Sequence, residues 1–368
     1  MAYLTDVQKM INVILDNLKN ISRQVDCAIA CISGGVDSTV SAILAQRALG
    51  EKIYPIFIDT GFMRINEAVN VARTLSELVK IEVYDFSEEF ISRLEGIEDA
   101  EEKRIVFRDL FYRSVKKIAD EKSCSWIVQG TIKADVDETR RGVKTQHNVL
   151  NSDLIAKYGL NVIEPLINLY KHEVRALAKY LGLPRFISER QPFPGPGLLI
   201  RTVGKLNRNK LELVKKLTSI VENALGDKGY SQYFPAVWEH NIIESSNVKD
   251  IEFDVYEVKV TGVSEGNRSY GHPVVVNRWP TDVDIYDLYK YFDTLRNPHI
   301  LVKLAERNNG LYLVALRIVK TENFMVAEVP RMNLNELKTL ANEILENSEV
   351  RAVAFDITPK PPATIEYE

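Results

Sequence analysis

A doubly wound parallel α/β sheet followed by a smaller α+β domain is the fold class this sequence predicts. Three observations carry the prediction. Strand and helix signals alternate between residues 27 and 128, and a proline- and glycine-rich break spans residues 191–197, beyond which the alternation stops. A chain of 368 residues also exceeds what one core usually supports, so two domains are the default.

The elements follow in order. Val7, Met10, Ile11, Ile14, Leu15 and Leu18 keep the 3.6-residue period of an amphipathic helix. Residues 27–32 (Cys-Ala-Ile-Ala-Cys-Ile) read as a buried strand, with a helix over residues 38–49 behind it. Residues 53–58 are apolar and β-branched and end in Asp59, Thr60 and Gly61. A helix over residues 66–80, a strand over 81–84, a helix over 100–120 and a short strand over 126–128 complete the alternation, the last ending in Gln129, Gly130 and Thr131. Such a pattern implies right-handed crossovers with helices on both faces of the sheet. Ligands of these sheets bind beyond the carboxyl ends of the strands, so the polar ends at Ser33, Asp59 and Gln129 are expected to converge on one crevice.

Residues 132–161 are charged, carry Gly142 and Gly159 and show no periodicity, as expected of a lid. Val174, Leu177, Ala178 and Leu181 mark a helix closed by Gly182 and Pro184, and the first domain is expected to end near Ser188. The reading is therefore a domain over residues 1–188 and a second over 189–368. In the second, Leu211, Val214, Leu217, Val221 and Leu225 mark a helix. Residues 251–260, 311–319 and 324–329 read as strands, followed by a helix over 335–346 and the alternating run Val353, Phe355, Ile357.

Composition is that of an ordinary soluble globular protein, with 45% apolar and 27% charged residues. A net charge of −4 argues against a general nucleic-acid footprint, while a small anionic ligand needs only a local basic pocket. No apolar run approaches the roughly 20 residues of a membrane span, and residues 1–19 lack a signal-peptide layout. A cytoplasmic enzyme with neither nucleic acid nor membrane as partner is the economical expectation. Cys27 and Cys31, four apart in one strand, would sit about 13 Å apart at ~3.3 Å per residue, beyond disulfide reach. They read as buried thiols, and Cys124 stands alone. The absence of a Cys-x-x-Cys motif removes zinc sites and most redox or sulfur-relay chemistry.

The most informative stretch is Ser33-Gly34-Gly35-Val36-Asp37-Ser38, a glycine pair between a buried strand and a helix N-terminus. Backbone N–H groups converge on an anion in that setting, aided by the helix dipole, and a polyphosphate suits it best. The loop is neither a Walker A nor a dinucleotide fingerprint. It resembles the pyrophosphate loop of the ATP pyrophosphatases, which split ATP into AMP and pyrophosphate. Within that family, Gln129-Gly130-Thr131 with Asp135 and Glu138, residues 192–197, and the terminal Lys360-Pro361-Pro362-Ala363-Thr364-Ile365-Glu366 resemble the GMP synthases. The likeness covers residues 24–206 and 315–368 and is not found between 235 and 310.

The resemblance implies an adenine nucleotide alpha hydrolase-like domain, an α+β dimerisation domain, and an AMP-forming carbon–nitrogen ligase. The C2 oxygen of XMP would attack the α-phosphate of ATP and release pyrophosphate, after which ammonia would displace AMP and leave GMP. ATP is expected at Ser33, Gly34, Gly35, Val36, Asp37, Ser38, Thr39, Asp59, Thr60, Gly61, Gln129, Gly130 and Thr131, with Mg2+ on Asp37. Asp135 and Glu138 would be an acidic pair on the lid, and Lys144 would stabilise charge on the adenylyl group. XMP is assigned to Arg104, Pro194, Gly195, Lys360, Thr364, Ile365 and Glu366. The chain departs from the family where Gln146 and Gln191 replace usual histidines and where residues 149–152 lack a double glycine.

No cysteine lies in the Gly-x-Cys-x-Gly setting of a glutaminase nucleophile, so ammonia is expected free or from a separate glutaminase subunit. A homodimer through the second domain is also implied, with Tyr233, Phe234, Val237 and Trp238 as either its patch or core. An NAD synthetase, a tRNA-thiolating ligase and a lapsed nucleotide-binding partner are the rival readings. The missing Cys-x-x-Cys, the proline–glycine linker, the terminal motif and the intact strand ends weigh against them.

Overall fold

The structure, a computed structural model, describes residues 2–133, 135–136, 157–281, 283–322 and 324–368. The chain divides into two compact units, Met1–Arg93 with Val106–Gly195, and Leu94–Ile105 with Pro196–Glu368. This division differs from a boundary near Ser188. The first unit runs on through Gly195, and the short stretch around Arg104 groups with the C-terminal residues.

The first unit contains α1 (Ala2–Ile21), β1 (Ala28–Cys31), α2 (Val36–Leu49), β2 (Ile53–Asp59), α3 (Glu67–Leu75), β3 (Glu82–Asp85) and α4 (Ser87–Leu94). It continues with α5 (Ala100–Glu121), β4 (Trp126–Val128), β5 (Asn161–Ile163), α6 (Lys171–Tyr180) and α7 (Arg185–Ser188), the ends of α4 and α5 reaching into the stretch 94–105. All five strands are parallel, in the order β3-β2-β1-β4-β5, with Ala28 in register with Ile53 on one side and Trp126 on the other. The strand period of two divides the side chains between two cores. Ala28, Ala30, Ile53, Phe57 and Val128 pack with Val7, Ile11, Val40, Leu44, Val174 and Leu177, whereas Ile29, Ile56 and Ile127 pack with Val115, Ile118 and Ala119. The predicted doubly wound sheet is therefore observed. α2 has no polar face because α1, α6 and the sheet surround it, which is why Val40, Ala42, Ile43, Leu44 and Ala45 are all buried. α3 stops at Leu75, short of the predicted end, and β5 adds a strand that starts at the last residue of what reads as the lid.

One expectation is corrected. Cys27 is not a free thiol: it is disulfide-bonded to Cys124, 97 residues away. The two residues precede β1 and β4, which are neighbours in the sheet, so their proximity comes from topology rather than local spacing. Ser125 reinforces the junction by donating its hydroxyl to Asp26 at 2.7 Å. Cys31 remains free, and burial pushes its thiol up to about 12.

The second unit contains α8 (Arg208–Leu225), β6 (Gln232–Glu239), β7 (Ile242–Val248), β8 (Ile251–Tyr256), β9 (Val260–Ser264), β10 (Asn267–Gly271) and β11 (Val274–Val276). β12 (Ile300–Glu306), β13 (Tyr312–Val319), α9 (Leu334–Leu345) and β14 (Val350–Asp356) follow. Seven strands form one mixed sheet in the order β6-β13-β14-β12-β11-β8-β7, and β9 pairs with β10. α8 packs on β6, and α9 on β12 and β14. Tyr233, Phe234, Val237 and Trp238 are buried in β6 and belong to the core. The strand expected over residues 324–329 is reduced to two isolated bridges, Ala327 to Lys360 and Glu328 to Lys320. No helix among the described residues is long and apolar enough to cross a membrane.

The disulfide has a direct chemical check. The denatured, unreduced protein should react with one equivalent of a thiol reagent and the reduced protein with three. The Cys27→Ser/Cys124→Ser variant should lose up to about 4 kcal/mol of stability by chain entropy. Three reactive thiols before reduction would refute the link.

Candidate functional site

The three polar strand ends lie side by side, because β1 is central and β2 and β4 are its neighbours. From β1 the chain proceeds to β2 and β3 on one side and to β4 and β5 on the other. The topological switch point thus falls between β1 and β4. There Gly130 presses against the first turn of α2: an added Cβ would lie 2.7 Å from the Ser38 backbone nitrogen and 2.9 Å from the Asp37 carbonyl carbon. Gln129, Gly130 and Thr131 are thereby seated on the Ser33–Ser38 loop.

The loop is fastened by its own hydroxyls. Ser38 Oγ accepts from the Ser33 N–H at 3.2 Å and donates to the Gly35 carbonyl at 3.1 Å, and Thr39 Oγ1 donates to the same carbonyl at 2.8 Å. No side chain caps the N-terminus of α2 at Gly35, which leaves that end suited to an anion. Gly34 has a φ of +79°, and an added Cβ would meet Val71 Cγ2 at 2.8 Å, so glycine is required both by backbone and by space. Behind it, the buried Glu67 accepts two bonds from Arg190, at 2.5 and 2.7 Å. The Arg64 guanidinium lies 4.1 Å from the centre of the Phe193 ring. Arg64 Nη1 lies 3.8 Å from Glu67 Oε1, so the linker residue Phe193 stacks on the charged group behind the loop. Pro194 is half-buried and Gly195 exposed.

Asp37 occupies the first turn of α2, where a negative charge suits the dipole. Its Oδ2 accepts from Lys171 Nζ at 2.5 Å, while its Oδ1 is buried without a partner. Burial raises its pKa; Lys171 and, more weakly, Arg175 oppose that rise, and the nearby Asp135 adds to it. Asp135 is itself fixed by accepting the Ile132 N–H at 3.1 Å. Two carboxylates, one of them with an unfilled acceptor, thus lie near each other beside the loop. Asp59 folds its strand end back by accepting the Gly61 N–H at 2.9 Å, and Thr60 and Thr131 are buried beside their strands. Gln129 Oε1 is buried without a partner, and the Gln129 side chain lies against the Tyr112 hydroxyl, whose pKa burial pushes up to about 12.

Glu138, Lys144, Gln146 and His147 lie outside the described residues. Lys171 is a residue that sequence reasoning missed. The available signal was electrostatic, since a lysine at the first position of a helix opposes the dipole and implies an anion elsewhere.

The remaining candidates lie in the second unit. Lys360 Nζ donates to the Phe324 carbonyl at 2.5 Å. Thr364 Oγ1 lies 2.6 Å from Thr261 Oγ1, and Ile365 is buried. Glu366 receives a two-pronged contact from Arg201, at 3.0 and 2.8 Å. Arg104 is nearly buried, pairs with Glu101 at 2.9 Å and keeps its Nε without a partner. Its neighbour Lys103 is fully buried and donates to Glu368 at 2.7 Å, which places Arg104 in the same unit as the terminal motif.

A test of the switch-point contact follows. Gly130→Ala forces a backbone shift of about 1–3 kcal/mol and should weaken ATP binding at least about tenfold, read by calorimetry alongside thermal unfolding. Unchanged affinity would show that the two loops do not act together.

Residues 7–195 match the NAD synthase family and residues 281–367 the GMP synthase C terminal domain. The chain is 46% identical to a glutamine-hydrolysing GMP synthase subunit of Sulfurisphaera tokodaii, over 99% of both chains. It is 45% identical to the equivalent subunit of Saccharolobus solfataricus, over 92% of this chain and 94% of that one. The counterpart from Archaeoglobus fulgidus is 36% identical, over 99% and 100%. Residues 235–310, unmatched in the sequence reading, fall within the length shared with these relatives. Among solved structures, an NMN synthetase from Francisella tularensis aligns over 56% of this chain and 90% of its own, with 17% identity and a TM-score of 0.41. On near-full-length identity to these relatives, the chain belongs to the same family of glutamine-hydrolysing GMP synthase subunits.

Proposed function

We propose that this protein converts XMP to GMP: ATP adenylylates the XMP C2 oxygen, pyrophosphate leaves, and ammonia then displaces AMP. The observation that carries the reading is the uncapped helix N-terminus at Gly35, framed by Asp37 and Gly130, in a chain whose relatives are named as subunits of GMP synthase. The Ser33–Thr39 loop would cradle the two phosphates that leave, through backbone N–H groups that need no reorganisation when charge develops. Lys171 and Arg175 bring positive charge to that end of the sheet.

Magnesium fits the carboxylates present. Asp37 offers a buried, unpartnered oxygen, with the Asp135 carboxylate nearby, and hard oxygen donors of this kind suit the ion. When bound, it would offset charge on the departing pyrophosphate. Asp37 and Asp135 would hold it, and Lys171 holds the other oxygen of the Asp37 carboxylate.

On the acceptor side, Lys360 would meet the XMP phosphate, with Thr364, Ile365 and Glu366 beside the base and Arg104 and the Pro194–Gly195 turn as further contacts. Glu366 is pre-aimed by Arg201, whose guanidinium stacks 3.9 Å from the Phe234 ring centre. Glu138 and Lys144 are assigned to the lid as acid and charge stabiliser. Ammonia would come from a separate glutaminase subunit. In this chain two of the three cysteines are joined, and burial raises the thiol pKa of the third, so no thiolate is at hand. We assign a homodimer to the second unit, where the edge strand β7 exposes Ile242 and Ile243, and a cytoplasmic setting among nucleotide substrates.

Incubation with ATP, magnesium, XMP and ammonium should yield AMP and GMP in equal amounts. Glutamine in place of ammonium should yield no GMP, and nicotinic acid adenine dinucleotide in place of XMP no AMP. Asp37→Asn should slow AMP release by about a hundredfold. AMP release independent of XMP would overturn the proposal.

A further inference from the structure

Two of the residues assigned to the acceptor nucleotide, Lys360 and Thr364, sit on a loop whose two feet are held by one buried side chain. Arg317 of β13 is fully buried. It donates from Nη1 to the Thr358 carbonyl at 2.6 Å and from Nη2 to the Thr364 carbonyl at 2.8 Å. Between those two carbonyls lies the segment that carries Lys360. A planar guanidinium fixes both spacing and direction of its two bonds, so this fork sets the width of the loop's base.

The fork is itself held from below. Asp356 Oδ1 lies 3.3 Å from Arg317 Nη1 and accepts the Thr358 N–H at 3.0 Å. Asp356 Oδ2 faces His299 Nδ1 at 2.6 Å and accepts from the Tyr367 hydroxyl at 2.6 Å. His299 Nε2 reaches the Thr261 carbonyl at 3.0 Å, to which Thr364 Oγ1 also donates at 3.0 Å. Burial alone would raise the Asp356 carboxyl, but Arg317 and then His299 outweigh it and hold the group well below the usual carboxylate range. Tyr367 stacks on His299 with ring centres 4.3 Å apart. Thr358, Thr364 and Tyr367 are thus all tied to one charged hub that has no exposure to solvent.

We propose that Arg317, seated by Asp356, is a positioning residue for the acceptor nucleotide: its fork fixes the loop that presents Lys360 and Thr364. This rests on the reading that the terminal segment binds XMP. A buried charge cluster is often no better for stability than apolar packing, so its value here lies in fixing one loop geometry.

Arg317→Lys keeps the charge beside Asp356 but cannot span both carbonyls. It should raise the KM for XMP at least about tenfold while the KM for ATP and kcat stay within about twofold. Backbone hydrogen exchange over residues 358–367 should accelerate. Tyr367→Phe removes one hydroxyl from Asp356, leaves the fold intact, and should raise the XMP KM about threefold. Should Arg317→Lys fail to fold, Tyr367→Phe decides, and a wild-type XMP KM in it overturns the inference. A folded Arg317→Lys with wild-type XMP KM and exchange overturns it equally. Lys360→Ala separates the two levels. A raised XMP KM there, with none in the other variants, sinks the positioning role alone; an unchanged one sinks the acceptor reading and this inference with it.

Discussion

The approach of Gly130 to the first turn of α2 is the contact on which the proposed nucleotide site depends. With 2.7 Å between a hypothetical Cβ and the Ser38 nitrogen, any side chain at this position would wedge β4's loop away from β1's. Because the loops touch, Asp135, five residues further along, comes near enough to Asp37 to alter its ionisation. The switch point of the sheet provides the crevice, but the glycine closes it to atomic contact. Lys171 completes the arrangement from α6, entering from a third direction.

The two units solve charge burial in different ways. In the first, the Asp37–Lys171 pair is partly exposed, Lys171 by about a third, and keeps one carboxylate oxygen unfilled. Such a pair exchanges partners at little cost, as the proposed nucleotide site would require. In the second, Lys103–Glu368 and Arg317–Asp356 are almost completely closed to water. Removing one member of a pair like these costs about 3–5 kcal/mol, because the other is left uncompensated. The first arrangement is built for turnover and the second for constancy.

Much of the fold was legible because its signals are local. The Ser33–Ser38 loop, the ends of β2 and β4, and helices α1, α2, α5 and α8 each announce themselves through glycines, hydroxyls or a clean 3.6 period. β5 was not legible, since three residues are too few to carry a period. The Cys27–Cys124 bond was missed for a related reason: the thiols meet only because β1 and β4 are neighbours, and spacing along the chain says nothing of that. Likewise Arg317 and Asp356 look in sequence like ordinary strand charges, and their role emerges from what the sheet buries. Tyr233 and Trp238 were ambiguous between surface and core until the position of β6 against β13 placed them inside.

The short stretch Leu94–Ile105 has a consequence for the chain's connectivity. Since it groups with Pro196–Glu368, the polypeptide passes between the two units three times, after Arg93, after Ile105 and after Gly195. No single cut yields both halves intact. Severing at the proline-rich junction would strand Lys103 with the wrong fragment and leave the carboxylate of Glu368 in a dry cavity without its counter-ion. Modular as the family matches look along the sequence, the two halves are not interchangeable parts bolted end to end, and exchange of one against a homologue would have to carry those twelve residues with it.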